Sequence, residues 1–158
     1  MSSDFTKKSL SNTNFFIVKI HRSDYDELMK DKNMKKVITV DFDETLAKTH
    51  EVWDGIKHLD NGLLTPIEEI FEIVFDKAKH GYDVWIVSFR DWEHMHEVQQ
   101  FVADHNLPVT GMIATKGQPK LPHLQMLGSV LHIDDNVETI LEANRNGIHG
   151  MLVAVKPE

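Results

Sequence analysis

The chain has 158 residues, of which 41% are hydrophobic and 27% charged, as expected of one globular domain. It contains no cysteine, which excludes disulfides and thiolate metal sites. No apolar run is long enough to cross a membrane, and the N-terminus lacks the apolar core of a signal peptide. The formal net charge of -8 disfavours broad electrostatic binding to nucleic acid without excluding a local contact. We therefore expect a cytoplasmic protein without membrane contact.

Residues 1–34 are interpreted as an N-terminal extension, and residues 35–158 as one folded domain. Within the extension, residues 15–20 are apolar and β-branched, which favours a strand. Residues 23–30 favour a short capped helix. Whether these two elements extend the sheet of the following domain or pack elsewhere stays open.

From residue 36 onward, strand-like and helix-like stretches alternate along the chain. Short, apolar and largely β-branched runs predict strands at residues 37–41, 84–88, 109–114, 130–133 and 151–155. Apolar residues at helical spacing predict helices at about residues 66–80, 91–102, 119–127 and 137–147. Thr65 is predicted to cap the first helix, with Pro66 at its first position and Glu68 closing a capping box. Residues 47–64 are predicted to be irregular.

Strands that alternate with helices imply parallel βαβ units, and right-handed crossovers put helices on both faces of the sheet. We therefore predict an α/β fold of three layers, α/β/α and Rossmann-like, with a central parallel sheet of about five strands. The connections after the first and third strands are too short for a full cap domain. The predicted fold thus leaves the carboxyl edge of the sheet open, which is where ligands bind in such sheets.

Polar and charged residues gather at this edge. In chain order they are Asp41, Asp43, Glu44 and Thr45; Ser88, Phe89 and Arg90; Thr115, Lys116 and Lys120; and Asp134, Asp135 and Asn136. Four aspartates so close together would repel one another, and a divalent cation removes that repulsion. Oxygen ligands without cysteine suit Mg2+, and a magnesium ion beside hydroxyls and lysines suits a phosphate group.

The set resembles the four motifs of the haloacid dehalogenase superfamily, chiefly its phosphatases, over residues 36–155. Residues 41–45 (DFDET) match the first motif, and Ser88 matches the second. A lysine before the fourth strand matches the third motif, and Asp134 with Asp135 matches the fourth. Glu44 departs from the pattern, because many relatives have a small residue there. The resemblance rests on all four motifs in order at the predicted strand ends.

The resemblance implies a Mg2+-dependent phosphohydrolase that cleaves phosphomonoesters. Asp41 would attack phosphorus and form an aspartyl phosphate, and Asp43 would serve as general acid and base. The metal ligands would be Asp41, the backbone carbonyl of Asp43, Asp134 and, directly or through water, Asp135. The substrate phosphate would be held by Thr45, Ser88, Phe89, Lys116 and Lys120.

Three assignments keep alternatives. Lys120 is favoured over Lys116 as the catalytic lysine, because it begins the helix that leads into the fourth strand. Asp135 is interpreted as the N-cap of the following helix, as part of the metal shell, or as both. Arg90 is predicted to pair with an acidic residue at position 91 or 93, with binding of substrate phosphate as the alternative.

The substrate class is left broad. An open site admits a nucleotide, a nucleic-acid end or a phosphoprotein, and residues 1–34 or a second copy in a homo-oligomer would be the elements that cover it. A phosphotransferase with the same intermediate is an alternative, although transfer needs closure against water. A catalytically silent binding module is the other alternative, and the intact motif set argues against it.

Overall fold

The computed structural model describes the backbone of residues 6–9, 16–19, 35–53 and 57–154, and the side chains of residues 35–49 and 64–154. The strands are β1 (Thr6–Ser9), β2 (Phe16–Lys19), β3 (Val37–Val40), β4 (Ala47–Trp53), β5 (Lys57–Pro66), β6 (Asp83–Ser88), β7 (Gly111–Ala114), β8 (Ser129–Asp134) and β9 (His149–Leu152). The helices are α1 (Glu68–Lys79), α2 (His96–Asp104), α3 (Leu121–Leu127) and α4 (Val137–Arg145). In these ranges, no helix combines the length and apolar character that a bilayer span requires.

The main sheet has the order β1-β2-β7-β6-β3-β8-β9, in which only the β1–β2 pair is antiparallel. The five predicted parallel strands are all present, and the prediction of the fold class is confirmed. Strand β2 pairs in parallel with β7, so the strand predicted at residues 15–20 extends the sheet. The helix predicted at residues 23–30 lies outside the described residues. Strand β3 lies between β6 and β8, which places the residue after it in the middle of the sheet.

Helices cover both faces of the sheet. All four residues of β3 and all six of β6 are buried, as their apolar, β-branched sequences predict. Alternate side chains of β3 and β6 enter two separate clusters. One cluster contains Ile38 with residues of α1 and α2, and the other contains Val37 with residues of α3 and α4. Each fully buried side chain of this size contributes roughly 1.5–3 kcal/mol, so the core holds the strand ends in fixed positions.

The prediction that residues 47–64 are irregular is wrong. Strands β4 and β5 form an antiparallel two-stranded ribbon, which begins with Ala47 opposite Pro66 and shifts register after Thr49. A two-stranded ribbon can pair its backbone N–H and C=O groups without an apolar face. The pattern of hydrophobic residues therefore does not predict such a ribbon. The Asp54-Gly55 dipeptide in the sequence is a hairpin-turn signal that would have indicated it.

The predicted capping box at the start of α1 is also wrong. Thr65 and Pro66 belong to β5, where pairing with β4 keeps them extended. Ile67 takes the N-cap position without a side-chain cap, and its N–H donates to the carbonyl of Leu46 at 2.9 Å. Glu68 and its neighbour place negative charge in the first helical turn, which the helix dipole favours.

Candidate active site

The carboxyl ends of β3, β6 and β8 bring the predicted site residues to one edge of the sheet. Asp41 follows β3, and its N–H continues the ladder by donating to the carbonyl of Ile133 at 2.8 Å. Ser88 ends β6, and Asp134 ends β8. An open cleft of about 270 Å³ lies above them, lined by Asp41, Asp43, Glu44, Thr49, Phe89, Asp134, Asp135 and Asn136.

A tight turn after β3 sets the first motif. The N–H groups of Thr45, Leu46 and Ala47 all point to the carbonyl oxygen of Phe42, at 3.2, 3.0 and 3.1 Å. The Phe42 ring is fully buried and meets the Phe101 ring edge to face at a centroid distance of 5.2 Å. The core therefore anchors the turn that carries the two aspartates of the first motif.

Glu44 occupies the turn position at which the sequence departs from the family pattern. Its φ of 59° lies in the left-handed region, which favours glycine and explains why a small residue suits this site. Its carboxylate accepts hydrogen bonds from the N–H and the hydroxyl of Thr49, at 2.8 and 2.6 Å. The side chain thus ties the turn to the first residues of β4.

A buried lysine joins two of the aspartates. The Nζ of Lys120 donates to Oδ1 of Asp41 at 2.9 Å and to Oδ2 of Asp134 at 2.7 Å. The Lys120 side chain is fully buried, whereas Lys116 is exposed. Of the two lysines considered, Lys120 is the one among the carboxylates. Thr45 completes this group by donating its hydroxyl to Oδ2 of Asp41 at 3.3 Å.

Two buried residues that the sequence analysis missed extend this group into the sheet. His132 places Nε2 2.8 Å from Oδ2 of Asp134 and Nδ1 2.8 Å from the hydroxyl of Thr39. Thr39 in turn lies 2.8 Å from the hydroxyl of Ser129. Thr39 and His132 are paired positions of neighbouring parallel strands. Their signal in the sequence was polar residues within otherwise apolar strands.

Burial and charge shift the pKa values of three of the four aspartates that line the cleft, and not all in the same direction. Burial raises the pKa of Asp41 well above its usual range, and the charge of Lys120 offsets only part of this. Burial also raises the pKa of Asp135. For Asp134, burial acts in the same direction, but hydrogen bonds from His132 and the charge of Lys120 prevail and lower the pKa. One buried lysine therefore faces three carboxyl groups, and burial raises the pKa of two of them.

The carboxylates fit a divalent cation. One oxygen from each of Asp41, Asp134 and Asp135 lies within 4.8 Å of the others. Oxygen ligands at this spacing suit Mg2+. The interpretation of Asp135 as the N-cap of the next helix is wrong, because Asn136 caps α4 by accepting from the N–H of Thr139 at 2.9 Å.

Arg90 holds Asp43 at the rim of the cleft. Its Nε donates to Oδ2 of Asp43 at 2.9 Å, and a terminal nitrogen donates to Oδ1 at 2.8 Å. The guanidinium lies over the Phe42 ring, donates to the carbonyl of His94 and approaches Glu97 at 3.7 Å. Burial would lower the pKa of Arg90, but its bonds to Asp43 raise it. The prediction that Arg90 pairs with residue 91 or 93 is wrong.

Two of the phosphate-binding candidates, Ser88 and Phe89, lie at the end of β6. Ser88 is fully buried and accepts the N–H of Arg90 at 3.1 Å. The Phe89 ring lines the cleft with its centroid 4.4 Å from Nζ of Lys120. The buried carboxylate of Asp41 therefore lies beside Lys120 and the Thr45 hydroxyl. The carboxylate of Asp43 lies outside this group, on the rim of the cleft.

Comparison with known proteins finds similarity at the level of the fold. No family model matches the chain, and no curated protein matches its sequence. Among solved structures, a chain described as "Structure of Pnkp1/Rnl/Hen1 complex" has a TM-score of 0.58 at 13% identity and covers 78% of this chain. A chain from "Structure of the Pnkp1/Rnl/Hen1 RNA repair complex" has a TM-score of 0.57 at 14% identity and covers 92%. The matched regions span 46% and 47% of those chains.

Proposed function

We propose that the protein is a Mg2+-dependent phosphohydrolase of the haloacid dehalogenase type, which cleaves phosphomonoesters through an aspartyl phosphate on Asp41. One observation carries the proposal. Buried Lys120 bridges Asp41 and Asp134, and Asp135 completes a group of three carboxylates at the same strand ends. A structural ion pair needs one carboxylate for one lysine, so a group of three carboxylates favours a divalent cation at this site. The cation and Lys120 together would then favour an anionic substrate.

Asp41, Asp134, Asp135 and the backbone carbonyl of Asp43 would hold Mg2+. When bound, the ion would supply positive charge against the phosphoryl oxygens. The other positive charge comes from Lys120, which contacts Asp41 at 2.9 Å and so lies next to the phosphoryl group that Asp41 accepts. Ser88 uses its oxygen to accept the Arg90 N–H, which leaves its O–H proton for a phosphoryl oxygen.

Asp41 is oriented for attack on phosphorus. Lys120 binds Oδ1 and the Thr45 hydroxyl approaches Oδ2, so both carboxylate oxygens have fixed directions. Attack forms the bond from an Asp41 oxygen to phosphorus as the bond to the leaving oxygen breaks. Water then attacks phosphorus of the aspartyl phosphate and releases phosphate and free Asp41.

Asp43 is suited to proton transfer because it lies apart from the buried lysine. It would protonate the leaving oxygen in the first step and take a proton from the attacking water in the second. Arg90 donates one N–H to each of its oxygens, which fixes the plane of the carboxyl group. Arg90 therefore sets the direction of the acid and base without touching Asp41.

The substrate is proposed to be exposed on a large molecule or to be a nucleotide. Many members of the superfamily that the sequence resembles carry an inserted cap domain over the active site. Here the connection after β3 holds only the β4–β5 ribbon, so we expect the cleft to stay open. The similar folds come from an RNA repair complex, which makes a phosphorylated nucleic-acid end the first substrate to test. The net charge of -8 opposes extended contact with nucleic acid, so nucleotides and phosphopeptides stay in the panel.

The test is hydrolysis by the purified full chain with Mg2+. We expect release of phosphate from 4-nitrophenyl phosphate and from at least one member of a panel of nucleotides, phosphopeptides and oligonucleotides with 3′- or 5′-phosphates. Asp41→Asn keeps the size of the side chain and should abolish turnover. If the wild-type protein is inactive with Mg2+, Mn2+ and Co2+ across the panel, the proposal fails in favour of a silent binding module.

A further inference from the structure

We propose that His132 is a positioning residue that fixes the orientation of the Asp134 carboxylate and so selects the oxygen that faces the metal. His132 is fully buried within β8, and its Nε2 lies 2.8 Å from Oδ2 of Asp134. It does not line the cleft. The role rests on the proposed metal site, since Asp134 is one of the three clustered carboxylates.

The hydrogen bonds of Asp134 leave one direction open. A carboxylate has about four acceptor positions, two on each oxygen. Lys120 and His132 occupy both positions on Oδ2, at 2.7 and 2.8 Å. The N–H of Asn136 occupies one position on Oδ1 at 3.0 Å. The remaining position on Oδ1 is therefore the one available to a metal ion.

Lys120 alone does not fix this orientation. Its ammonium group also binds Asp41, and it stands on a flexible side chain at the start of α3. The imidazole is a flat, rigid donor on the same strand as Asp134, two residues earlier, so it points to the same face of the sheet. Without its N–H, the second position on Oδ2 becomes free, and the carboxylate is able to turn.

Asp134 fixes which nitrogen of His132 carries the proton, and Thr39 matches that tautomer. The Asp134 carboxylate only accepts, so Nε2 must donate to it, and Nδ1 of the neutral ring must accept from the Thr39 hydroxyl. This chain of contacts reaches from the middle of β3 to the end of β8, and all of its members are buried. Ligands of metals commonly depend on such outer hydrogen bonds, and their loss costs about 10–100-fold in metal affinity or activity.

Two substitutions separate positioning from packing. His132→Gln keeps an N–H donor near the place of Nε2, whereas His132→Asn keeps a polar atom near Nδ1 and loses the donor to Asp134. We expect His132→Asn to weaken binding of Mn2+ alone by about 10-fold or more, measured by calorimetry on the full chain. We expect His132→Gln to restore affinity to near the wild-type value. Thr39→Val, which removes only the hydroxyl, should lower affinity by less than His132→Asn.

The thermal unfolding midpoint, measured without metal, controls for folding. If His132 only fills space, both His132 variants lower the midpoint to a similar extent and bind Mn2+ as the wild type does, which overturns the inference. Equal losses of affinity in the Asn and Gln variants also overturn it. Should the His132 variants not fold, unchanged Mn2+ affinity in Thr39→Val overturns it. If the wild-type protein does not bind Mn2+, the proposed metal site itself is wrong.

Discussion

The two aspartates of the first motif lie two residues apart and have opposite surroundings. Asp41 has a side chain that is 8% exposed and is bound by a lysine that is fully buried. Asp43 has a side chain that is 36% exposed and is bound by Arg90 from a neighbouring loop. The inner contacts are set by the ends of β3 and β8 and by the start of α3, and the rim contacts are set by two connecting segments. In the proposed mechanism, the difference separates a fixed nucleophile from an adjustable proton-transfer group.

This difference has an energetic side. Removal of the one lysine from a buried group of carboxylates destabilises a protein by roughly 3–5 kcal/mol, because the negative charges stay buried and unpaired. A partly exposed pair contributes about 0–1 kcal/mol, even though its geometry is specific. Substitutions on the inner side should therefore affect folding and catalysis together. Substitutions on the rim should affect catalysis with little change in stability.

The largest expected effect is that of Lys120→Met. Loss of the ammonium group leaves Asp41 and Asp134 facing each other in a buried site. We expect phosphatase activity to vanish and the free energy of unfolding in urea to fall by about 3–5 kcal/mol. Lys116→Met is the matched control on an exposed lysine, and its stability should stay within about 0.5 kcal/mol of the wild type. A stable Lys120→Met variant would contradict the account of the inner side.

The next largest expected effect is a pH-dependent change in stability on substitution of Asp41. Burial raises the pKa of Asp41 in the folded protein above its value in the unfolded chain. A raised carboxyl pKa contributes stability below the unfolded pKa, near 4, and this contribution is lost as pH rises through the folded value. Without metal, Asp41→Asn should therefore be more stable than the wild type at pH 7, and this advantage should shrink on acidification.

Urea unfolding from pH 5 to 8 with a chelator measures this difference. The contribution of Asp134 to stability depends on pH in the opposite direction. Its pKa is lowered in the folded protein, so it contributes stability above the unfolded pKa, and this contribution is lost in acid. Asp134→Asn should therefore be less stable than the wild type at pH 7. Equal pH profiles for the wild type and Asp41→Asn would show that burial does not perturb Asp41.

Arg90→Gln tests the contacts at the rim, and its expected effect is smaller than those on the inner side. The bidentate contact to Asp43 is lost, so we expect stability to change by only about 1 kcal/mol. Hydrolysis of an alkyl phosphate, which needs a general acid, should fall by about 10²-fold or more. Hydrolysis of 4-nitrophenyl phosphate should fall less, because nitrophenolate leaves without a proton. An equal loss for both substrates would mean that Arg90 acts on the phosphate rather than through Asp43.

The smallest expected effect is at Glu44. Glu44→Ala removes the hydrogen bonds to Thr49 and keeps the strained backbone, whereas Glu44→Gly removes both the bonds and the strain. The Gly variant should therefore be more stable than the Ala variant by roughly 0.5–1 kcal/mol, measured by urea unfolding. The opposite order would show that the turn is not strained.

The sequence predicted what depends on local pattern. Buried β-branched runs located the parallel strands, and the residues after those strands supplied Asp41, Ser88 and Asp134 for the site. It did not predict the side-chain contacts that depend on the register between strands. Thr39 and His132 are 93 positions apart, and their contact follows from strand register rather than from either local pattern.

The contact between Arg90 and Asp43 at the rim was not predicted either. Arg90 and Asp43 are 47 positions apart, and sequence reasoning assigned Arg90 to acidic neighbours because only neighbours are visible in a sequence. The cap of α4 is Asn136 rather than Asp135, since Asp135 stands one residue earlier and lines the cleft instead. A shift of a single residue at a helix start is beyond what residue type alone decides.

The proposed mechanism depends on phosphorylation of Asp41, and a stalled reaction would trap that intermediate. Asp43→Asn should still react with 4-nitrophenyl phosphate and Mg2+, since nitrophenolate needs no acid, but should be slow to activate water. We predict a burst of nitrophenolate that matches the enzyme concentration, with the added phosphate located on Asp41 by mass spectrometry. Wild-type turnover without any phosphate on Asp41 in the stalled variant, or full activity in Asp41→Asn, would contradict the proposed mechanism.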